Sequence, residues 1–337
     1  MKWIDTNDLV RWADERNCQE TMPSLIERLI RYTRTDIINI NFPSGNDIAL
    51  PGFDGMLEID SSLNVEFISG GKSVWEIGVG KAVKSKAEED YRKRKINPIV
   101  DNPSQFTYVF VTPRKWTKAE RWAEEKRKEN FWKNVVVITG QELNKWLENA
   151  PPVSLWLSSG YLNKFPDGGV QSAEYFWEAW RLSPDSKIKL DLTLITAGRK
   201  KQSEQLLKLT KSPKIVSVRA STLDESIAFI ICSFLSESKN YLEFISRSVI
   251  VENVNSLRQL VQVDRPLIII AKEHDDKILN LGIAKGHTIL VPLGRDASES
   301  WIDSIVLPNP DRDEFISALV TSGVNKRRSE KLSKGHL

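Results

Sequence analysis

The chain has 337 residues, of which 40% are hydrophobic and 28% are charged, with a net charge of +3. This is the composition of an ordinary globular protein with room for two domains. No apolar run reaches the roughly 18 residues that span a bilayer, and the N-terminus lacks the apolar core of a secretory signal. The two cysteines and three histidines fit a reducing cytoplasm and leave little material for histidine-based metal or triad chemistry.

The first half of the chain alternates between helical and extended patterns. Hydrophobic periodicity predicts a helix over 23–34, and Thr117 with Glu120 predicts a capping box at the start of a helix over 117–129. Further helices are expected over 82–95 and 141–148. Strands are predicted over 37–42, 55–59, 65–68, 72–79, 106–111 and 135–138, with a hairpin turn at 70–71. This order predicts a three-layer α/β domain with a mixed sheet.

A segment rich in proline and glycine, 151–170, predicts a domain boundary between a first domain at 1–155 and a second at 170–337. Beyond it the α/β alternation resumes. Strands are predicted over 190–196, 214–218, 248–251, 266–271 and 288–292, and helices over 199–210, 222–236 and 311–322. The chain ends on a basic segment without a closing element, so we expect it to be cut from a longer protein.

Two acids and a group of lysines carry the clearest chemical signal. Asp54 lies in Pro-Gly-Phe-Asp-Gly, where an aspartate in a β-turn is the simpler interpretation. Glu76 lies in the apolar run Val-Trp-Glu-Ile, where a charge is costly unless it is paired or bound to a metal. Alternation along a strand directs Trp75 and Ile77 to the core and Glu76 to the opposite face. If that face opens to a cleft, Glu76 can bind a metal ion.

A phosphate-binding loop is absent from the sequence. The segment Gly70-Gly-Lys72-Ser73 lacks the required upstream glycine, because position 66 is Glu, and it lies between two predicted strands. We therefore interpret it as a hairpin.

Four sequence blocks together resemble a known nuclease family. They are Pro51-Gly-Phe-Asp54-Gly, Val74-Trp-Glu76-Ile-Gly, the segment from Lys86 to Arg94, and Val111-Thr-Pro-Arg114-Lys-Trp116. In this order they resemble the PD-(D/E)xK fold, and more closely the Mrr/Cap-type nuclease domain at the front of bacterial antiphage STAND NTPase-like proteins. The resemblance covers roughly residues 20–150. It implies a restriction-endonuclease-like α/β/α domain.

The resemblance also implies a function and a site. The expected activity is that of a metal-dependent endonuclease of antiphage defence, which hydrolyses double-stranded DNA with low sequence specificity. Asp54, Glu76 and the carbonyl of Ile77 would hold Mg²⁺ or Mn²⁺. Glu27 corresponds to an acid that sometimes adds a water-mediated contact, although a solvated helix residue is the simpler interpretation.

One position departs from the family pattern. The usual lysine comes two residues after the second acid, and here that residue is Gly78. The candidates for a displaced lysine are Lys81, Lys84 and Lys86. We favour Lys81, with Lys86 second, because Lys81 is closest to the metal pocket if the strand ends near Val79, while Lys86 lies one turn into the following helix and can reach back.

Two basic segments could track a phosphate backbone. Residues 81–95 and 114–128 each hold seven basic and three acidic side chains. Solvated helix faces explain most charge runs, but beside an acid pair of nuclease type a DNA-binding groove is the better interpretation. The candidate contacts are Lys84, Arg92, Lys93, Arg94, Arg114 and Lys115. Trp116, Trp122 and Trp132 could stack on bases, although core positions are expected for at least two of them.

The second half of the chain resembles the region that follows the nuclease in the same large proteins. The resemblance implies an α/β domain like a P-loop NTPase that lacks its phosphate-binding loop. Expected partners are therefore DNA, another copy of the chain, and further C-terminal sensor or NTPase regions, with no membrane. Two alternatives stay open: a non-catalytic nucleic-acid-binding module with a degenerate nuclease fold, and an oligomerisation platform.

Overall fold

The computed structural model describes residues 2–43, 52–165, 168–182, 191–237, 240–298, 301 and 303–334. The chain divides into two compact units, Met1–Lys164 and Phe165–Leu337. Each is a mixed α/β unit built around one mixed sheet. Pro51 of the Asp54 motif and Leu190 of the predicted strand at 190–196 lie outside the described residues. Across the described ranges, no helix is long and apolar enough to cross a membrane.

The sheet of the first unit has five strands in sequence order. They are β1 (Ile37–Asn41), β2 (Gly55–Ile59), β3 (Lys72–Ile77), β4 (Phe106–Val111) and β5 (Asn134–Ile138). The first three strands pair antiparallel, and β3, β4 and β5 pair parallel. The predicted strand at 65–68 is wrong, because Glu66 has a φ of 51° and only an isolated bridge joins Val65 to Ile68. The strand predicted to reach residue 79 ends at Ile77.

Six helices of the first unit are described: α1 (Thr6–Trp12), α2 (Arg16–Thr33), α3 (Val83–Ile96), α4 (Ala119–Arg127), α5 (Gly140–Glu148) and α6 (Pro151–Tyr161). The capping box predicted at Thr117 is wrong, because α4 begins after Lys118 without a side-chain cap. Thr139 and Glu142 form a capping box at the start of α5 instead. The predicted boundary region begins too early, since the two prolines at its start occupy the first turn of α6, where proline is tolerated.

The alternation of β3 and β4 decides which way the candidate acid points. Val74, Tyr108 and Phe110 share one face of the sheet and pack with Ala87 and Tyr91 of α3. Trp75 and Val109 point to the other face and are also buried, so both faces are covered. Glu76 shares its face with Val74. It therefore points toward α3 and not, as the sequence suggested, away from the core.

The second unit contains β6 (Val170–Ser172), α7 (Ala173–Arg181), α8 (Leu192–Thr196), α9 (Lys200–Leu209), β7 (Ile215–Arg219), α10 (Leu223–Leu235), α11 (Tyr241–Ile245), β8 (Ser248–Val251), α12 (Val254–Leu260), β9 (Ile268–Ala271), α13 (Asp276–Ala284), β10 (Thr288–Leu293), β11 (Asp303–Val306), α14 (Arg312–Thr321) and α15 (Lys326–Leu332). The strand predicted at 190–196 is wrong. Asp191 accepts a hydrogen bond from the Thr193 amide there and caps the short helix α8.

The sheet of the second unit has the strand order β11-β7-β10-β9-β8-β6. Its pairs are parallel except for that of β6 with β8, which is antiparallel. Helix α10 contributes Phe229, Ile230 and Ile231 to the core together with β7, β9 and β10. Strand β7 lies between β11 and β10 and is parallel to both. The loop from β7 to α10 therefore leaves the sheet from an interior strand, at the side where the carboxyl ends of the parallel strands lie.

Candidate active site in the first unit

The pairing of β2 with β3 brings Asp54 and Glu76 together. Gly55 pairs with Trp75 in this antiparallel register, so the residue before Gly55 lies beside the residue after Trp75. Asp54 Oδ2 accepts a hydrogen bond of 2.7 Å from the amide of Ile77. The two predicted acids therefore meet at the end of neighbouring strands, with the backbone of Ile77 between them.

Glu76 is ion-paired in this structure. Its side chain is buried, and its Oε1 accepts a hydrogen bond from Nε of Arg94 on α3. The same guanidinium donates through Nη2 to the carbonyl of Gly52 and lies 4.5 Å from the centre of the Phe53 ring. Arg94 is only 4% exposed. The prediction that Arg94 contacts DNA is therefore wrong, because its charge is used within the site.

Burial controls the protonation of the two inner carboxyl groups. It raises the pKa of Glu76 to about 8; the hydrogen bond from Arg94 opposes this effect, and the charge of Asp54 adds to it. Burial also raises the pKa of Asp90 on α3, while the bond to Lys86 opposes the rise. The charges of Asp54, Glu76 and Asp90 thus repel one another, which favours a cation among them.

Of the candidate lysines, Lys86 is electrostatically part of this group. Its ammonium lies 2.8 Å from Asp90 Oδ1. Burial lowers the pKa of Lys86, but the bond to Asp90 and the charges of Asp90, Asp54 and Glu76 more than offset this, so the pKa is raised. Lys81 is 82% exposed and lies 3.7 Å from Asp14. The geometry therefore favours Lys86 over Lys81, the reverse of our order from the sequence.

The packing around Gly78 explains why no lysine follows Glu76 at the usual spacing. A Cβ atom at this position would lie 2.6 Å from Cζ of Phe110 and 3.3 Å from Cγ of Lys86. The volume that a side chain at position 78 would need is thus filled by Phe110 and by the stem of Lys86. A pocket of about 440 Å³ opens beside this point, and its lining includes Ile77, Lys81 and Lys86.

The remaining predicted DNA contacts divide into exposed and buried side chains. Lys84, Arg92 and Lys93 are exposed on α3, with no ion pair to another described residue. Lys115 is exposed and donates to Asn7. Arg114 is 8% exposed. It donates to the carbonyls of Val79, Val10 and Ala13 and to Asp14, so the prediction that it binds DNA is wrong.

The aromatic and acidic candidates outside the acid pair have structural partners. Trp122 and Trp132 are buried in the core beneath α3 and α4, and Trp116 packs against Trp122. Glu27 lies 2.8 Å from Arg31 on its own helix, and its side chain is only 16% exposed. It is therefore a largely buried partner of Arg31, and the interpretation as a solvated helix residue is wrong. The sequence reasoning missed Asp90, although the four-residue spacing from Lys86 to Asp90 and on to Arg94 was a usable signal.

The acid pair offers a partial set of ligands for a hard cation. Asp54 Oδ1 and Glu76 Oε2 accept no hydrogen bond from any described residue, and carboxylate oxygens suit Mg²⁺. No group of three or more His, Cys, Asp or Glu side chains is arranged to hold a metal within the described part of the chain. An ion would therefore rely on these two oxygens, main-chain oxygen and water, and Arg94 would have to move away.

In the second unit, the start of α10, which follows the carboxyl end of β7, is capped by side chains of the protein. Thr222 caps α10. Glu225, in the first turn of that helix, accepts hydrogen bonds from the Ser221 amide (3.1 Å) and from Arg199 (2.7 Å). A carboxylate thus fills the place at the helix N-terminus where an anion would bind.

No protein-family model matches this chain, and no curated protein matches its sequence.

Proposed function

We propose that the first unit is a divalent-metal-dependent endonuclease that hydrolyses DNA with low sequence specificity. The observation that carries this proposal is that Asp54, directly before β2, lies beside Glu76, near the end of β3, with the side chain of Lys86 close by and 47% exposed. The mixed five-stranded sheet, with α3 between β3 and β4 in the chain and packed on one face, is compatible with the restriction-endonuclease-like fold that the sequence resemblance implies. The same resemblance motivates a role as a cytoplasmic effector of bacterial antiphage defence.

The residues have distinct roles in this proposal. Asp54 Oδ1 and Glu76 Oε2 hold the cation, helped by the carbonyl of Ile77. A bound Mg²⁺ or Mn²⁺ lowers the pKa of water and neutralises charge on the phosphate. Lys86 places a positive charge at the phosphate as negative charge develops there. Lys81, on the exposed side of the pocket, is the second candidate for this role.

The experiment is cleavage of supercoiled plasmid DNA with Mg²⁺ or Mn²⁺ by the wild-type chain and by Glu76→Gln. This substitution removes a metal ligand without adding bulk and leaves an acceptor for Arg94, so we expect a folded protein without cleavage. Glu58→Gln on β2 is the matched control, since Glu58 is partly exposed and lies 3.6 Å from Lys72. Full cleavage by folded Glu76→Gln, or no cleavage by the wild type with either metal, would contradict the proposal.

A non-catalytic nucleic-acid-binding module is the second candidate. The observation that favours it is the use of Glu76 as the ion-pair partner of Arg94, together with glycine at position 78. In that case the exposed cations of α3 still bind DNA, but binding is independent of metal and the plasmid stays intact. A gel-shift assay in EDTA and in Mg²⁺ distinguishes the two functions.

For the second unit, we propose a degenerate NTPase-like domain that acts as a platform. The parallel order β11-β7-β10-β9-β8 supports the comparison with a nucleotide-binding sheet, in which ligands bind at the carboxyl ends of strands. The absence of a phosphate site in this proposal is supported by Glu225, which accepts hydrogen bonds from Arg199 and from the Ser221 amide at the start of α10.

A further inference from the structure

Three charged side chains follow one another along the inner face of α3. Lys86, Asp90 and Arg94 are spaced by four residues, so they lie one above the other on the helix. Asp90 and Arg94 are buried, and the side chain of Lys86 is 47% exposed at the edge of the pocket. Arg94 contacts Glu76 at one end of this row, and Lys86 lies beside the pocket at the other.

Asp90, the middle member, has unused hydrogen-bonding capacity. Its Oδ1 accepts the bond from Lys86, whereas its Oδ2 is buried and has no hydrogen-bond partner among the described residues. Tyr108, which also lies among these charges, has a buried hydroxyl group that is likewise without a partner. Buried polar atoms are rarely left unsatisfied, which points to a second arrangement of this group.

The order of charges along the helix indicates what that arrangement is. An acid that precedes a base by one turn makes a better helical pair than a base that precedes an acid. The pair Asp90–Arg94 has the acid first, which is the favoured order. The pair Lys86–Asp90 has the base first, which is the less favourable order. An arginine can also engage both oxygens of a carboxylate at once, including the oxygen that has no partner here.

We propose that this row is a switch that releases Lys86 when the acid pair binds a divalent cation. In the resting state Arg94 holds Glu76 through a hydrogen bond from Nε, and Asp90 holds Lys86. When a cation takes the place of Arg94, the guanidinium moves to Asp90, and Lys86 is released from Asp90 and turns toward the phosphate. Asp90 and Arg94 are thus positioning residues. The inference rests on the proposed metal-dependent function and adds how cation binding prepares the lysine.

The test measures Mn²⁺ affinity by calorimetry, without DNA, on the full chain and on Arg94→Gln, Asp90→Asn and the double variant. Arg94→Gln removes the competing cation, so binding tightens, by roughly tenfold within the range of couplings between contacting residues. Asp90→Asn removes the acceptor for the displaced guanidinium, so binding weakens by a similar factor. In the double variant the effect of Asp90→Asn disappears, because no arginine remains to be accepted.

Matched substitutions separate the switch from general electrostatics. Lys95→Gln and Asp101→Asn remove exposed charges near the same helix and should leave Mn²⁺ affinity unchanged. If Arg94→Gln does not fold, Arg94→Lys keeps the charge but removes the fork that contacts Glu76 and Gly52 together, and its affinity should also rise. An Asp90→Asn effect that is equal with and without Arg94 overturns the switch and leaves the metal site standing. Absence of Mn²⁺ binding by the wild type overturns both the switch and the proposed function.

Discussion

Among the three candidate lysines, Lys86 is the one on which the proposed chemistry depends most. We predict that Lys86→Ala lowers the cleavage rate by roughly a hundredfold, the typical cost of removing one positioned charge at a transition state. Lys81→Ala should cost less, because Lys81 is mostly exposed, and Lys84→Ala least. Single-turnover plasmid cleavage with saturating Mg²⁺ measures all three. Equal and near-wild-type rates for the three variants would show that no lysine here takes part in the reaction.

Glu76 should also make the stability of the folded protein depend on pH. Its pKa rises from 4.5 to about 8 on folding, so protonated Glu76 favours the folded state. This contribution is complete below pH 4.5 and is lost as pH rises through 8. We predict that, in EDTA, the Tm of the wild type falls relative to that of Glu76→Gln between pH 5 and pH 9. Parallel Tm curves for the two proteins would contradict the assigned burial of Glu76.

At the scale of elements, helices and strands with a clear hydrophobic pattern were predictable from sequence. The residues that pair with buried arginines were not. The strand predicted over 106–111 and the helix predicted over 222–236 are confirmed as β4 and α10. Both are apolar over most of their length, and such segments must be buried, which makes them recognisable from sequence. Arg94 and Arg114 look like solvent-facing members of basic runs. Their burial depends on acceptors far away in the chain, such as Glu76 and Ala13, which local spacing cannot reveal.

The exposed half of α3 gives a prediction about DNA. Replacing Lys84, Arg92 and Lys93 together with Gln should reduce the slope of log affinity against log salt by about 0.9 for each phosphate that the variant no longer neutralises. Lys200→Gln, Lys201→Gln and Lys208→Gln in the second unit remove the same number of exposed charges and serve as the control. Fluorescence anisotropy over a salt series measures the slope. An unchanged slope in the α3 variant would mean that these three side chains face solvent and do not contact DNA phosphates.

At the scale of the whole molecule, the second unit should not bind nucleotide. It lacks the Gly-Lys-Ser/Thr ending that wraps phosphate, and Glu225 fills the anion position at α10. We predict no Mg-ATP binding tighter than about 50 μM by calorimetry. Weak binding of phosphate or sulfate at millimolar levels would be compatible with this prediction. A dissociation constant below the stated limit would mean that a nucleotide site of another kind exists.

The buried guanidinium of Arg114 has a practical consequence for anyone who shortens the protein. It joins the end of α1 and the residues just after it, through the carbonyls of Val10 and Ala13, to the carbonyl of Val79 in the loop before α3. A chain trimmed to begin at α2 would therefore leave this arginine with only the carbonyl of Val79 among these acceptors, and it would also remove Asp14, which lies 3.7 Å from Lys81. Val10, Ala13 and Asp14 thus help to hold Arg114 beside the loop that lines the pocket.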